Sequence, residues 1–460
     1  MTIIFLPENL NQTMKKTVQF LIISAFCLSF TGILTGQNPF IRDQFTADPS
    51  ARVFNGRVYV YPSHDIPAPE DFARKDWFCM EDYHVFSSSN LSDWTDHGVI
   101  VSQENVNWVN AATYSMWAPD CIERNGKYFF YFPANVKPGS GRGFGIGVAV
   151  ADRPEGPFTP QPEPIKGVVG IDPNVFIDHD GQAYIYWSQG NIFGAKLKEN
   201  MLELDSEVSV IKDMPAKGLK EGPYLFERKG IYYMTYPHVQ NRTERLEYAI
   251  GDNPMGPFKF AGVIMDESPT GCWTNHHSII EYEGQWYLFY HHNDLSPKFD
   301  KNRSVRIDSL FFNEDGTIRK VIPTLRGVGL TDARGIIEID RYSSISEKGA
   351  ATAFLDSADT FKGWKLILSS PGSWVKYNSA DFGKKKPRSV EITASSSTGG
   401  TLLLGAGNTG SPVISEINIP AGDGWNTVTA RVKKLKPGVH NLVMTLKGEG
   451  VVEINCLSFK

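Results

Sequence analysis

Residues 172–187 read D-P-N-V-F-I-D-H-D-G-Q-A-Y-I-Y-W. An acidic residue opens the stretch, a short apolar run follows, a turn ends in Gly181, and an aromatic strand closes it. This is the pattern of a β-hairpin. The same pattern recurs four more times. It appears as D-P-S-A-R-V-F-N-G-R-V-Y-V-Y from Asp48, D-C-I-E-R-N-G-K-Y-F-F-Y from Asp120, E-G-P-Y-L-F-E-R-K-G-I-Y-Y-M-T-Y from Glu221 and H-H-S-I-I-E-Y-E-G-Q-W-Y-L-F-Y from His276. The lead residues are 72, 52, 49 and 55 positions apart. Spacings near 50 match one four-stranded propeller blade per repeat. Residues 65–77 lengthen the first interval with a Pro- and charge-rich loop over one face. Further strands lie between the hairpins, and no stretch has the period of a long amphipathic helix. The expected fold is all-β: a five-bladed β-propeller over residues 37–342.

In a propeller the first strand of each blade lines the central channel. The lead residues Asp48, Asp120, Asp172, Glu221 and His276 are therefore expected at one height near the axis. Carboxylates converging on one pocket repel one another and raise at least one pKa, which sets a protonated acid beside an ionised base. Asp120 follows W-A-P and reads as a residue that holds a loop.

At these residues the chain resembles glycoside hydrolase family 43. The resemblance rests on T-A-D-P-S around Asp48, W-A-P-D ending at Asp120, G-I-D-P-N-V-F around Asp172 and K-E-G-P-Y around Glu221. N-H-H-S around His276 and N-R-S-V-R-I-D from Asn302 complete the ordered set, which spans residues 40–330. It implies an inverting hydrolase in which Asp48 is the general base, Glu221 the general acid, and Asp172 tunes the acid and helps orient the sugar. It further implies that Arg303 hydrogen-bonds a sugar hydroxyl, with a structural salt bridge as the competing reading. Trp117 would form part of the pocket floor, or else pack in the core. His276 would face the channel axis, where many members hold a calcium ion through water. Calcium prefers oxygen ligands, so a water-mediated contact and a metal-free His276 both stay open, and hydrolysis is expected to need no cofactor. Trp77, Phe78, Trp273 and His238 are further candidates to line the subsites.

Other features are read as structural. His277 points away from His276 on a strand. His291-His292 lacks the helical spacing of a zinc motif. Residues 139–147, G-S-G-R-G-F-G-I-G, lack the Lys-Ser or Lys-Thr of a phosphate loop and read as a flexible connection near the cleft mouth. Cys79, Cys121, Cys272 and Cys456 contain no C-x-x-C pair, so neither a zinc nor a redox motif is present, and any pairing stays open.

A formal net charge of -5 gives no case for nucleic acid, and the one basic run, residues 384–388, reads as a solvated loop. Met14-Lys15-Lys16, an interrupted apolar stretch over residues 18–34 and small residues before Gln37 read as a signal peptide ending at Gly36. Export to the periplasm or the cell exterior is expected, with no membrane span once the signal is removed. Nothing in the sequence sets an oligomeric state.

Residues 342–348 are Ser-rich, a linker composition. Beyond them, short strands with Gly and Pro turns predict a β-sandwich of jelly-roll type over residues 343–460. V-K-Y-N-S-A-D-F-G from Val375, G-W-N-T-V from Gly424 and G-V-H-N-L from Gly438 resemble carbohydrate-binding module family 6. Trp425 is the natural residue for stacking on a sugar, or a buried Trp.

The resemblance implies removal of xylose or arabinose from plant cell-wall polysaccharide or oligosaccharide, as by a β-xylosidase or α-L-arabinofuranosidase. The competing functions are an endo-acting arabinanase with an open groove, a non-catalytic sugar-binding propeller, and a retaining hydrolase of another family.

Overall fold

The computed structural model of the protein describes residues 38–460 apart from 71, 140–142, 216, 219, 340–341 and 360–361. The expected signal peptide lies outside the described residues. Among those residues, helix is limited to two single turns, Gln103–Asn105 and Ala111–Thr113, and none is long and apolar enough to cross a membrane.

The chain first builds five successive antiparallel sheets. The first contains β1 (Phe45–Phe54), β2 (Arg57–Asp65), β3 (Met80–Ser88) and β4 (Thr95–Ser102). The second contains β5 (Asp120–Arg124), β6 (Lys127–Asn135), β7 (Phe144–Ala151) and β8 (Thr159–Pro160). The third contains β9 (Ile171–Ile177), β10 (Ala183–Ser188), β11 (Ile192–Leu197) and β12 (Ser209–Val210). The fourth contains β13 (Tyr224–Arg228), β14 (Ile231–Val239), β15 (Glu244–Gly251) and β16 (Lys259–Met265). The fifth has three strands rather than four: β17 (Ser278–Tyr282), β18 (Gln285–His292) and β19 (Ser304–Leu310).

Four of the five lead hairpins use the same two-residue turn. Asn55-Gly56, Asn125-Gly126, Lys229-Gly230 and Glu283-Gly284 all have positive φ at both positions, the turn whose twist matches that of the flanking strands. The third hairpin differs: its ladder closes at Ile177 and Ala183, so Asp180-Gly181 sits inside a five-residue loop.

Apolar side chains meet between neighbouring sheets. Phe130 and Phe132 pack against Tyr61 and Tyr83, Val148 against Ile185, Tyr186 against Met234, and Leu246 against Leu288. Val58 and Val60 of the first sheet then pack against Phe289 and Ile307 of the fifth. The first strands touch in the same order, β1 to β5, β9, β13, β17 and back to β1. All five line one cavity of about 710 Å³, at the end of these strands where the hairpins turn.

Two polar devices reinforce the ring. Asp120 accepts from Ser50 Oγ at 2.6 Å, from the Val175 amide at 2.7 Å and from Asn174 Nδ2 at 3.0 Å, and it pairs with Arg52. It therefore stitches β1, β5 and β9 together rather than holding a loop. Asn38 grips β19: its amide donates to the Ile307 carbonyl at 2.9 Å and accepts from the Ile307 N–H at 2.8 Å.

Of the glycine-rich stretch, residues 140–142 lie outside the described residues and its last four residues are strand. Gly145 and Gly147 lie within β7, and a Cβ on Gly147 would come 2.5 Å from the Trp108 ring and 2.7 Å from Phe132. Glycine is there to let two aromatic rings close on the strand.

The C-terminal part is two six-stranded sheets around one apolar core. Thr331–Asp332 pairs with Trp374–Asp381, and Ile337–Glu338 with Val452–Phe459. Ser344–Ile345, within the Ser-rich stretch, also pairs with Trp374–Asp381. The sandwich thus draws strands from ahead of the stretch whose composition reads as a linker. Trp425 is 40% exposed on Gly422–Arg431. Among the described residues, Cys79, Cys121, Cys272 and Cys456 are free thiols.

Asn38→Ala removes both bonds to Ile307 and leaves buried backbone groups unpaired, a loss of about 1–3 kcal/mol. Denaturant unfolding should show a lowered midpoint at unchanged slope; an unchanged midpoint would mean that the apolar interface closes the ring without it.

Candidate active site

Two Asp-Pro pairs set the site. Proline has no N–H to give to a ladder, and at both pairs the register breaks. The β1–β2 ladder shifts between Ala47 and Ser50, and the β9–β10 ladder between Ile171 and Asn174. Asp48 and Asp172 both take left-handed backbone conformations, with φ of 49° and 57°, which is uncommon and costly for a residue with a Cβ. The bulges turn both carboxyls into one cavity. Glu221 comes just ahead of β13 and reaches the same cavity. Its neighbour Gly222 has φ of 51° and donates its N–H to Asp172 Oδ2 at 3.0 Å. A Cβ there would stand 3.0 Å from the Pro237 ring and 3.2 Å from His276.

The cavity, about 160 Å³, is lined by Asp48, Asp172, Glu221, Trp117, Arg303 and His276, so the six principal residues expected from the sequence come together. Trp77, Phe78 and Trp273 also line it. His238 does not: it is buried against Glu247, 3.0 Å away, and the Lys217 carbonyl.

Asp48 is held ionised. Burial alone would raise its pKa, but the Arg303 guanidinium at 2.8 Å and the Ser63 hydroxyl at 2.6 Å bring it down to about 2. Arg303 serves Asp65 as well, through Nε at 2.9 Å and Nη2 at 2.8 Å. The salt-bridge reading of Arg303 thus holds, and it holds inside the pocket wall. His291 Nδ1 accepts the Asp48 N–H at 3.1 Å, which requires a neutral ring. Burial and the Arg303 charge push its pKa well below normal, in keeping with that role.

The other carboxyls move the opposite way. Burial and the Glu221 and Asp48 charges push Asp172 well above the carboxylate range. Burial raises Glu221 too. Glu244, at the start of β15, lies within hydrogen-bonding reach of Glu221, and burial together with the Glu221 charge raises it strongly. One Glu244 oxygen accepts the Asn275 N–H at 2.7 Å, while the other is enclosed with no N–H or O–H donor. Two carboxylates have no donor between them, so a proton on one must bridge the pair. Asp48 is thus displaced toward its ionised form and the facing acids toward their protonated forms, the division of labour an acid–base reaction needs.

Sequence reasoning missed Asp65, Ser63, Glu244 and His291. Asp65 reads as the first residue of an insertion, and Glu244 as an ordinary residue at the head of a strand. Only three-dimensional proximity shows that each faces a charged partner.

His276 has Asp48 Oδ1 3.9 Å from its Nδ1. The oxygens of Asp48 and Asp120 are already committed to Ser63, Arg303, Ser50, Arg52 and Asn174. No set of three ligating side chains gathers around His276 among the described residues. The residues do not form a direct oxygen cage for calcium, and no catalytic step is drawn through one.

An all-β scaffold whose pocket displaces one carboxyl toward its ionised form and the facing ones toward their protonated forms suits acid–base glycoside hydrolysis. Residues 36–318 match the family model for glycosyl hydrolases family 43, and residues 344–460 that of carbohydrate binding module (family 6). The chain belongs to glycosyl hydrolase family 43 and carries a C-terminal family 6 module. It is 40% identical over 329 residues to a xylosidase/arabinosidase 43A of Humicola insolens, covering 61% of this chain and 98% of that protein. A solved family 43 β-xylosidase/α-arabinofuranosidase from a compost microbial metagenome, in complex with xylotriose, superimposes with a TM-score of 0.55 at 36% identity, over 62% of this chain and 97% of that one. An arabinoxylan arabinofuranohydrolase structure from Bacillus subtilis spans 92% of this chain and 97% of its own, at 25% identity and a TM-score of 0.53.

The acid group titrates as a set, so removing one carboxyl lowers the pKa of those that remain. In Asp172→Asn the basic limb of the kcat/KM–pH profile should move to lower pH, because the acid loses its proton earlier. A basic limb that stays in place while kcat falls would assign Asp172 to sugar binding alone.

Proposed function

We propose that the protein is an inverting exo-acting glycosidase that removes single xylose or arabinose residues from plant cell-wall polysaccharide or oligosaccharide. The observation that carries this reading is that Asp48 and Glu221 face one small cavity with their pKa values displaced in opposite directions, Asp48 down beside Arg303 and Glu221 up through burial. Asp48 takes a proton from water as the water attacks the anomeric carbon, and Glu221 delivers a proton to the departing glycosidic oxygen. Asp172, hydrogen-bonded to the backbone beside Glu221, keeps that acid's pKa high. Trp117 offers a ring face to the sugar, and Arg303 presents to it whatever donors remain beyond its two aspartates.

The scaffold for this chemistry is, on our reading, a five-bladed β-propeller, supported by the ring of interfaces that returns from the fifth sheet to the first. Exo action is supported by cavity size: about 160 Å³ is well below the ~300–1,000 Å³ of pockets that take drug-sized ligands. The residue 66–79 connection, carrying Trp77 and Phe78, walls one side, which disfavours an open arabinanase groove. The choice of pentoses rests on the relatives named as xylosidases and arabinosidases. Any calcium at His276 would be held through its own water shell. Export completes the proposal, with the signal read from residues 14–36.

The test is hydrolysis of β-D-xylosides and α-L-arabinofuranosides by the purified protein. Asp48→Asn should abolish turnover on all of them. Glu221→Gln should lose about 10²–10⁴-fold on xylo-oligosaccharides but less on nitrophenyl glycosides, whose leaving group needs little protonation. Equal losses on both would remove Glu221 from the acid role. NMR of the first-formed sugar should show the anomer opposite to that of the substrate; retention, or a covalent adduct with a fluorinated glycoside, would overturn inversion.

A further inference from the structure

A second cluster of chemistry-bearing side chains lies outside the channel site, on one face of the first sheet. His64 is the penultimate residue of β2, and Asp82 and His84 alternate along β3. Each brings one potential ligand atom within 4.8 Å of the other two. His64 Nδ1 lies 2.7 Å from Asp82 Oδ1, and the two imidazole rings stand 5.2 Å apart at 74°. His84 Nδ1 is 3.0 Å from both oxygens of Asp96 on β4. Asp96 also accepts from Gln44 Nε2 at 3.1 Å, and Gln44 Oε1 is enclosed without a partner. The side chains of His64, Asp82 and His84 are 14–19% exposed, sheltered yet open to solvent.

We propose that His64, Asp82 and His84 form a binding site for a divalent transition-metal ion of the zinc type, fastening the base of the loop that walls the sugar pocket. Two imidazoles and one carboxylate are the donor set that such ions select, with a fourth position for water. His64 Nδ1 and Asp82 Oδ1 now close around a proton, which the cation displaces and releases to solvent. Asp96 holds His84 at Nδ1, leaves Nε2 as the ligand atom and acts as the outer carboxylate that fixes the ring.

Placement gives the site a consequence. His64 and Asp82 flank the connection that carries Trp77 and Phe78 into the pocket. Asp65, next to His64, grips Arg303. An ion bridging β2 to β3 there would fix both ends of the wall. This inference does not rest on the sugar specificity proposed above, and its test does not read hydrolysis.

Untagged protein, stripped with chelator, would be dialysed against limiting Co²⁺ and then assayed for metal content, visible absorption and thermal unfolding with and without added Zn²⁺. The expected result is one cobalt per chain with visible bands of nitrogen–oxygen coordination, displaced by Zn²⁺, and a Tm raised by added zinc. His84→Gln and Asp82→Asn should weaken binding at least about tenfold and lose the Tm shift, while His276→Ala keeps both. Circular dichroism shows that each variant is folded, and His64→Gln replaces any that is not. Wild-type protein that takes up no stoichiometric cobalt would overturn the proposal. So would binding that survives in the cluster variants and disappears in His276→Ala.

Discussion

Everything at the mouth of the channel depends on one buried cation. Arg303 leads into the last sheet, and its guanidinium reaches across to the first, to Asp65 through two nitrogens and to Asp48 through the third. Its backbone makes the same crossing: the Arg303 N–H donates to Asp65 Oδ2 at 2.7 Å, and its carbonyl accepts the Thr46 N–H at 3.0 Å. Breaking a buried ion group by deleting one partner typically costs about 3–5 kcal/mol, because it leaves charge unpaired away from water. The contact that joins the ends of the ring is therefore also the contact that keeps Asp48 ionised.

The same economy governs the backbone. Two Asp-Pro pairs break their ladders in the same way, and both aspartates adopt φ values that only a fixed surround sustains. At Asp48 the surround is the His291 ring, Ser63 and Arg303. At Asp172 it is the Gly222 N–H, which ties the second acid to the third. Strain at these positions aims the carboxyls inward, where an unbroken strand would alternate them past the axis.

The repeat was legible because its hairpins are local. Alternation and a glycine turn suffice to mark each one, even where Lys229 or Glu283 precedes the glycine. The lead positions were legible for a related reason: a repeat fixes height in the channel. What escaped was whatever depends on a partner distant in sequence. Asp65 looks like a loop residue until Arg303 is beside it, and Glu244 looks like a strand end until Glu221 faces it. Asp120, whose oxygens are held by β1 and β9, lacks the following proline and the left-handed backbone that turn Asp48 and Asp172 into the cavity, and it does not line it. At Gly147 glycine reports not on freedom but on the space taken by Trp108 and Phe132.

Burial pushes every carboxyl in the pocket toward its neutral form, and the arrangement of cations decides which one escapes. Arg303 contacts Asp48 directly and acts on Asp172 and Glu221 only from farther off, so Asp48 gains most from it as an anion. Across the pocket, burial and mutual repulsion push Asp172, Glu221 and Glu244 toward their protonated forms. Lysine would be a poor substitute at position 303, since a single ammonium cannot hold Asp65 in a fork and still reach Asp48. The asymmetry that hydrolysis requires is thus built from one fixed, planar cation placed at one end of a row of acids, and the ring of sheets exists to keep it there.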